Sequence, residues 1–435
     1  MSGFSEILPR IKGEDVYLYL SKENPDWRDS RQEVSLVVHF GGKRVTLPLG
    51  DSSELNYLVS SLYHFLDPDR LVLAWGAKDV FSYLRGRTEM NLEIHNQVYD
   101  LSLISSYLGA AASRPENFRD AVSLLKRLMS DALWKKFSPY YSAVQVPMFS
   151  AILPEMETGC IVDNRRKKCV YPTYVMEGQA NGRLKAIKVD SSSYNPHSIG
   201  EEERANLRPR GYDEAFVYFD YRNMEVAVLQ WLSGDPALAS ILESGKDLYK
   251  EIWRKITRQE PTDSHRKLCK NTFLPVVFGQ GKASLAKKLG SSEEIAAKLI
   301  DSLVDTFPVA FDWVESQSPD GNNTATDVFG RRRTFDEQEL YKIKNFCIQS
   351  PASMICLRKL VKLHEALAGK ASIGFHVHDG YCVLCDKKNL ASICGIGMEV
   401  LEQEDEMFPG LVLKTTCKFG QNLNDLETFT KRVRL

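Results

Sequence analysis

Long apolar runs are missing from this chain: no stretch of the 435 residues approaches the ~18 to 20 apolar residues that a membrane span needs. The N-terminus also lacks the basic flank and apolar core of a secretory leader. No membrane partner is expected. A disulfide framework is missing too, since the nine cysteines are odd in number and irregularly spaced, which points to a reducing compartment. Cys382 and Cys385 make a Cys-x-x-Cys, but on an expected strand, where residues three apart face opposite sides, so no metal or redox pairing is expected there. Neither charge predominates: 56 Lys and Arg against 57 Asp and Glu leave a formal charge of −1. That balance excludes a wholly basic nucleic-acid coating protein without excluding local patches. There is no internal repeat and no low-complexity segment.

What remains is a soluble-type composition, 43% hydrophobic and 26% charged, on a chain long enough for two or more domains. Basic clusters stand at Arg165-Arg166-Lys167-Lys168, at Arg331-Arg332-Arg333, and at Lys267, Lys270, Lys282, Lys287 and Lys288. The blander reading of each is solvated surface.

Two segments carry the chemistry. Ala215 to Tyr221 is a short apolar run, rich in aromatic and branched residues, that breaks off in Asp220. Such a run reads as a buried strand, and an ionised carboxylate at its end needs a partner or a metal. The second is Ile373 to Leu384, where His378-Asp379-Gly380 interrupts two strand-like runs. Asp-Gly is a strong hairpin signal, which puts Asp379 at a tight turn. If these strands lie side by side, two carboxylates converge, a pair suited to two divalent cations and phosphoryl transfer.

Residues 1–110 read as α/β, with strands at 16–20 and 71–75, a hairpin about Gly41-Gly42, and helices from Asp79 and over Asp100 to Leu108. Residues 117–156 have helical periodicity, 160–215 are short and turn-rich, and 237–317 are almost wholly helical. A long helix from about Glu337 to Leu367 leads into the second carboxylate segment. Helices inserted between two strand segments that share a site imply one catalytic sheet with an excursion between its halves.

Residue by residue, this pattern resembles the family A (DNA polymerase I type) polymerases over about residues 141–425. Asp220-Tyr221-Arg222-Asn223-Met224-Glu225 stands for the family's Asp-Tyr-Ser-Gln-Ile-Glu. Arg266, Lys270 and Phe278-Gly279 have the spacing of its Arg, Lys and Tyr-Gly helix, and His378-Asp379-Gly380 stands for its His-Asp-Glu. Ser233-Gly234-Asp235, Gly245 to Tyr249, Asn181-Gly182-Arg183-Leu184, Asn195 to Ile199, Gly330-Arg331-Arg332, Asn345-x-x-x-Gln349 and Phe419 to Asn422 follow in family order.

The resemblance implies an α/β (α+β) right-hand polymerase with a palm sheet and helical fingers, preceded by an RNase H-like exonuclease-type domain. The implied divisions are 1–115, a degenerate 3′–5′ exonuclease-like domain; 116–170, a helical connection and remnant thumb; 171–240, the first part of the palm; 241–344, the fingers; and 345–435, the second part of the palm. It implies a template-directed DNA polymerase acting on a primer-template with dNTPs, using two Mg²⁺ ions, with Mn²⁺ as a substitute. Asp220 and Asp379 would hold the ions with the carbonyl of Tyr221. Lys270 would also give a proton to the leaving pyrophosphate. Arg266, Lys270, Phe278, Glu225, Leu274 and Tyr249 would bind the nucleotide, with Glu225 blocking a ribose 2′-hydroxyl. Tyr249 stands where His is usual and Leu274 where Phe or Tyr is. Arg183, His197, Asn345, Gln349, His378 and Arg331 would contact DNA, in part through minor-groove acceptors common to all base pairs. The expected location is the cytoplasm of a bacterium or of a virus-infected cell.

Two family parts are reduced. Only Asn164 to Val170 separates Asp163 from Tyr171-Pro172-Thr173-Tyr174, where the family inserts a long helical thumb. Low processivity alone is therefore expected, or reliance on a processivity factor or other replication protein. After the first strand the Asp-x-Glu of an editing site is absent, and Asp79 and Asp100 stand as remnants or plain surface acids. Competing expectations are a primase-like or RNA-synthesising relative, suggested by Gly380, and a non-catalytic nucleic-acid-binding replication subunit. Pro275 inside the Arg266 helix is expected to kink it.

Overall fold

The computed structural model describes residues 14–22, 25, 32–49, 70–88, 98–159, 161–176 and 178–430. The first sheet has the order β3-β2-β1-β4-β5, built from β1 (Val16–Leu20), β2 (Ser35–Phe40), β3 (Lys43–Pro48), β4 (Val72–Trp75) and β5 (Val98–Asp100). Gly41 and Gly42, both at positive φ, make the two-residue turn that pairs Phe40 with Lys43. β4 is parallel to β1 and β5 to β4, with helix α1 (Ala77–Thr88) after β4 and α2 (Leu101–Tyr107) after β5. The expected helix from Asp100 begins one residue later, because Asp100 ends the strand and caps α2 through the N–H groups of Ser102 and Leu103.

This unit is joined to the rest through buried polar contacts. Lys78 of α1 is buried and pairs with Glu157 at 2.8 Å, and Glu157 in turn accepts the Tyr174 N–H at 2.7 Å. A buried lysine persists only with such a partner. The Tyr107 hydroxyl donates to the carbonyl of Phe329 at 3.2 Å.

The helical stretch expected over 117–156 comprises α3 (Phe118–Met129) and α4 (Trp134–Tyr140), wide π-type turns at Tyr141–Gln145 and Met148–Ile152, and α5 (Leu153–Thr158). Pro147 explains part of the widening, since it has no N–H for the carbonyl of Ala143. Arg358 Nη1 reaches that carbonyl at 3.4 Å instead.

A second sheet, β10-β7-β6-β11, is made of short strands: β6 (Ile161–Asp163), β7 (Lys168–Pro172), β10 (Ser193–Tyr194) and β11 (Leu207–Pro209), with β8 (Tyr174–Val175) pairing β9 (Lys185–Ala186) nearby. Asp163 is paired with Lys168, so a four-residue turn joins β6 to β7 where a thumb would be inserted. The basic run in this turn is largely engaged within the fold: Arg165 and Arg166 both pair with Asp163. Cys169 on β7 is disulfide-bonded, contrary to the expectation of reduced thiols, because odd and scattered cysteines carry no signal for a single pairing. Cys269, Cys347, Cys356, Cys382, Cys385, Cys394 and Cys417 are free, and Cys382 and Cys385 enter separate core clusters as expected for opposite faces.

The central sheet has the order β15-β16-β12-β17-β18. β12 (Glu214–Tyr221) lies in its middle, between the hairpin of β15 (Ala371–Val377) with β16 (Gly380–Asp386) and β17 (Thr415–Gly420), and β18 (Glu427–Thr428) edges it. After α6 (Glu201–Asn206), the excursion runs through α7 (Met224–Ser233), α8 (Pro236–Glu243), α9 (Leu248–Thr257), α10 (Asp263–Val277), α11 (Lys282–Leu289), α12 (Glu293–Thr306) and α13 (Pro308–Ser316). It returns by the hairpin of β13 (Thr324–Thr326) with β14 (Arg332–Thr334) to α14 (Ile343–Leu367). Fully buried Asp235 ties two helices of the excursion together: it caps α8 through the N–H groups of Ala237 and Leu238 and accepts the Ala310 N–H of α13 at 3.0 Å. Among the described residues no helix is long and apolar enough to cross a membrane.

α15 (Leu390–Glu402) packs on the sheet through Gly397, where a Cβ would lie 2.2 Å from Phe219 Cζ. Gly397→Ala is therefore expected to destabilise the sheet by roughly 1–3 kcal/mol, the usual cost of overpacking. A urea midpoint unchanged by this substitution would mean that α15 shifts freely.

Candidate active site

Asp220, next to last in β12, is paired with Gly380 on one side and Thr416 on the other. The hairpin between β15 and β16 turns through His378 and Asp379, with Val377 opposite Gly380. Positive φ falls on His378 (52°) rather than on the glycine, because Gly380 already belongs to the ladder. The Tyr221 N–H donates to the carbonyl of Asp379 at 3.2 Å, which fastens the turn to the end of β12. Both carboxyls are partly buried. Desolvation and then the charge of Asp379 push Asp220 up to about 6, with only Lys418 acting against them. Desolvation also raises Asp379, opposed by Arg183.

These acids lie in a cavity of about 740 Å³ lined across from them by Arg266, Lys270 and Leu274 of α10. The residues are spaced four apart, so they share one helix face. Thr262 caps α10 through the His265 N–H. Arg266 is anchored from behind, with Nε 2.7 Å from Asp247 and its guanidinium 6.0 Å from the Tyr249 ring centroid. Burial would raise the Asp247 carboxyl, but the hydrogen bonds and charge of Arg266 and the Lys250 N–H hold it below the usual range. Lys270 is exposed at the cavity wall. Pro275 falls in the last turn of α10, which continues to Val277, so the expected interruption is confined to one lost bond. The Asn271 carbonyl, which Pro275 cannot serve, is taken by Lys288 Nζ at 2.8 Å.

On the third wall, Glu225 Oε1 accepts from Arg183 Nη2 at 2.7 Å and from Gln349 Nε2 at 2.9 Å, and Asn181 Nδ2 donates to Gln349 Oε1 at 3.0 Å. Three residues from two segments thus fix one carboxylate. Tyr249 beside them is buried, its hydroxyl pushed up by desolvation and by the charge of Glu225. His197 and His378 stack at 4.9 Å. Desolvation and the neighbouring His378 lower His197 to about 4, and His376, with Nδ1 3.0 Å from the Gly380 carbonyl, is lowered to about 3 chiefly by desolvation. Both rings are neutral at physiological pH.

The cavity thus gathers Asp220, Tyr221, Asp379, Lys270, Arg266, Glu225, Leu274, Tyr249, Arg183 and His378. Gln349 and His197 stand behind it, touching Glu225 and His378. Three expected residues are placed otherwise. Phe278 lies one position past the end of α10 and packs against the core rather than lining the cavity, because the helix stops at Val277. Asn345 is half-buried on α14 outside the cavity lining. Arg331, expected on DNA, is only 4% exposed. Its guanidinium lies 5.3 Å from the Tyr107 ring centroid, and Nη1 would be 2.9 Å from a Cβ on Gly182. It braces the Asn181 to Arg183 loop from behind. Asp247 and Asn181 were not expected as site residues, although both lie within segments the resemblance had marked.

The DNA polymerase family A model matches residues 120–425, well over half of the chain. The chain belongs to DNA polymerase family A. It is 27% identical over 225 residues to DNA polymerase I of Chloroflexus aurantiacus, covering 47% of this chain and 23% of that protein. It is 29% identical over 212 residues to the DNA polymerase of Mycobacterium phage D29, covering 47% and 34% respectively. The chain thus spans about a quarter to a third of these relatives' length. The fold is similar to the POL domain of Pol1 from M. smegmatis, in a complex with DNA primer-template and dNTP, with a TM-score of 0.77 over 97% of this chain and 98% of that one at 15% identity.

Proposed function

We propose that the chain is a template-directed DNA polymerase that joins dNTPs to a primer 3′-hydroxyl. The observation that carries this reading is the meeting of Asp220 and Asp379 opposite Arg266 and Lys270 in one cavity. The two acids fit divalent cations: they are half-buried, close enough for Asp379 to raise Asp220, and short of compensating charge. Asp220, Asp379 and the Tyr221 carbonyl would hold two Mg²⁺ ions, or Mn²⁺ in their place. Such ions, when bound, neutralise charge on the attacking oxygen and the departing pyrophosphate. Arg266, its Nε held by Asp247, is oriented to grip the triphosphate, and exposed Lys270 one turn along is placed to bind it and protonate the leaving group. Glu225, fixed by Arg183 and Gln349, closes the sugar end of the cavity against a 2′-hydroxyl.

The first sheet is proposed to be a non-editing exonuclease-like domain. Asp100 cannot serve a metal there while its carboxylate accepts from Gly76, Ala77, Ser102 and Leu103. The four-residue turn between β6 and β7 supports short synthesis per binding event, or dependence on a replication partner. The test is primer extension by the isolated chain under a competitor trap. Extension with dNTPs, only with a primer and over short tracts, is expected. Preferential use of rNTPs or initiation without a primer would favour the primase-like reading, no synthesis would favour a binding subunit, and long tracts would remove the thumb argument.

A further inference from the structure

Tyr218 and Asp220 are two residues apart on β12, so their side chains share a face of the sheet. Tyr218 is paired with Cys382 across the ladder, two positions along β16 from Gly380. A Cβ built on Gly380 would lie 2.3 Å from Tyr218 Oη, 2.8 Å from Cζ and 3.2 Å from Asp220 Oδ1. The phenol therefore reaches diagonally across the ladder and fills the space any side chain at 380 would take, with its hydroxyl on the side of Asp220. Tyr174, Tyr221 and Tyr381 around this sheet each donate to a backbone carbonyl, of His376, Leu401 and Cys356. The Tyr218 hydroxyl makes no hydrogen bond among the described residues. Nor, among them, do three His, Cys, Asp or Glu side chains gather to hold a metal.

We propose that Tyr218 is a positioning residue of the cation site. Its neutral hydroxyl takes the place of a third acidic side chain beside Asp220 and Asp379, and position 380 is glycine to admit it. This rests on the cation reading of the two acids above. The hydroxyl has no partner among the described residues, so it is free to hold a water of the cation beside Asp220. The site then carries two formal negative charges rather than three.

The test is Mn²⁺ binding to the full chain without DNA or nucleotide, read from the electron paramagnetic resonance signal of the free ion. Tyr218→Phe keeps the ring and loses only the hydroxyl, and should weaken Mn²⁺ binding roughly fivefold to tenfold, as for one ordinary hydrogen bond. Gly380→Glu alone should bind poorly because its side chain meets the phenol. Tyr218→Ser combined with Gly380→Glu, which opens the space and supplies a third carboxylate, should recover or exceed the wild-type affinity. Thermal unfolding of Tyr218→Phe near the wild-type midpoint shows that the effect is not one of folding. Wild-type Mn²⁺ affinity in Tyr218→Phe, with binding weakened in Asp220→Asn, would make Tyr218 a space-filler and overturn the inference. Binding unchanged in Asp220→Asn as well would remove the cation site itself, and the inference with it.

Discussion

Replacing Asp220 or Asp379 by asparagine is expected to lower primer extension by roughly 10³-fold or more, the scale of several kcal/mol of charge stabilisation supplied by a held cation. Asparagine keeps the size of the side chain, so the ladder pairs of Asp220 with Gly380 and Thr416 survive. For Asp220 the same substitution should act in the opposite direction on stability. Its folded carboxyl is raised to about 6 by desolvation and by Asp379, above the ~3.9 of an unfolded chain. A raised carboxyl contributes stability below about pH 3.9 that is lost as the pH climbs through 6. At pH 7.5 without divalent cations, then, the wild type holds two uncompensated charges and Asp220→Asn holds one. The variant should unfold at higher urea than the wild type at pH 7.5, and that advantage should shrink as the pH falls through 6. A variant that lost stability together with activity at pH 7.5 would show that Asp220 is a structural acid.

The parts of this site that could be read from the sequence are those whose signal is local. A five-residue apolar run ending in an acid announces β12 and Asp220, and a His-Asp-Gly between two such runs announces the hairpin. Residues four apart on one helix announce Arg266, Lys270 and Leu274. Long-range pairing was not legible. Nothing near Arg331 in the sequence says that it turns inward onto Tyr107, more than two hundred residues earlier, instead of outward. Arg266 carries no mark of its tie to Asp247, nor Cys169 of its disulfide. The π-type turns near Pro147 were hidden for a related reason: proline signals a lost bond, and the arginine that compensates comes from α14. Gly380 was visible as a departure from the family's third acid, while the residue occupying its space lay three strand positions before Tyr221 and read as plain core.

Glu225→Ala is expected to let ribonucleotides in, cutting the preference for dNTPs over rNTPs by roughly 10- to 100-fold, as for relief of a steric cost of about 1–3 kcal/mol. The carboxylate can act as a wall only because it is held: Arg183 and Gln349 both donate to the same oxygen, and Asn181 fixes Gln349 in turn. A flexible acid would swing away from a 2′-hydroxyl at little cost, whereas this one would have to break two hydrogen bonds. Glu225→Gln separates the wall from its charge. It keeps the volume, exchanges the charged pairing with Arg183 for a weaker one, and should retain most of the discrimination while raising the KM for dNTPs through a looser Arg183. Arg183→Lys should do the reverse, leaving the acid in place but with a single point donor in place of a planar one, so that discrimination falls part of the way toward Ala. If rNTP use rises equally in all three variants, selection depends on the whole wall being rigid. If Glu225→Ala leaves the ratio unchanged, the sugar is read elsewhere, and Tyr249, buried beside the acid, is the side chain left to read it.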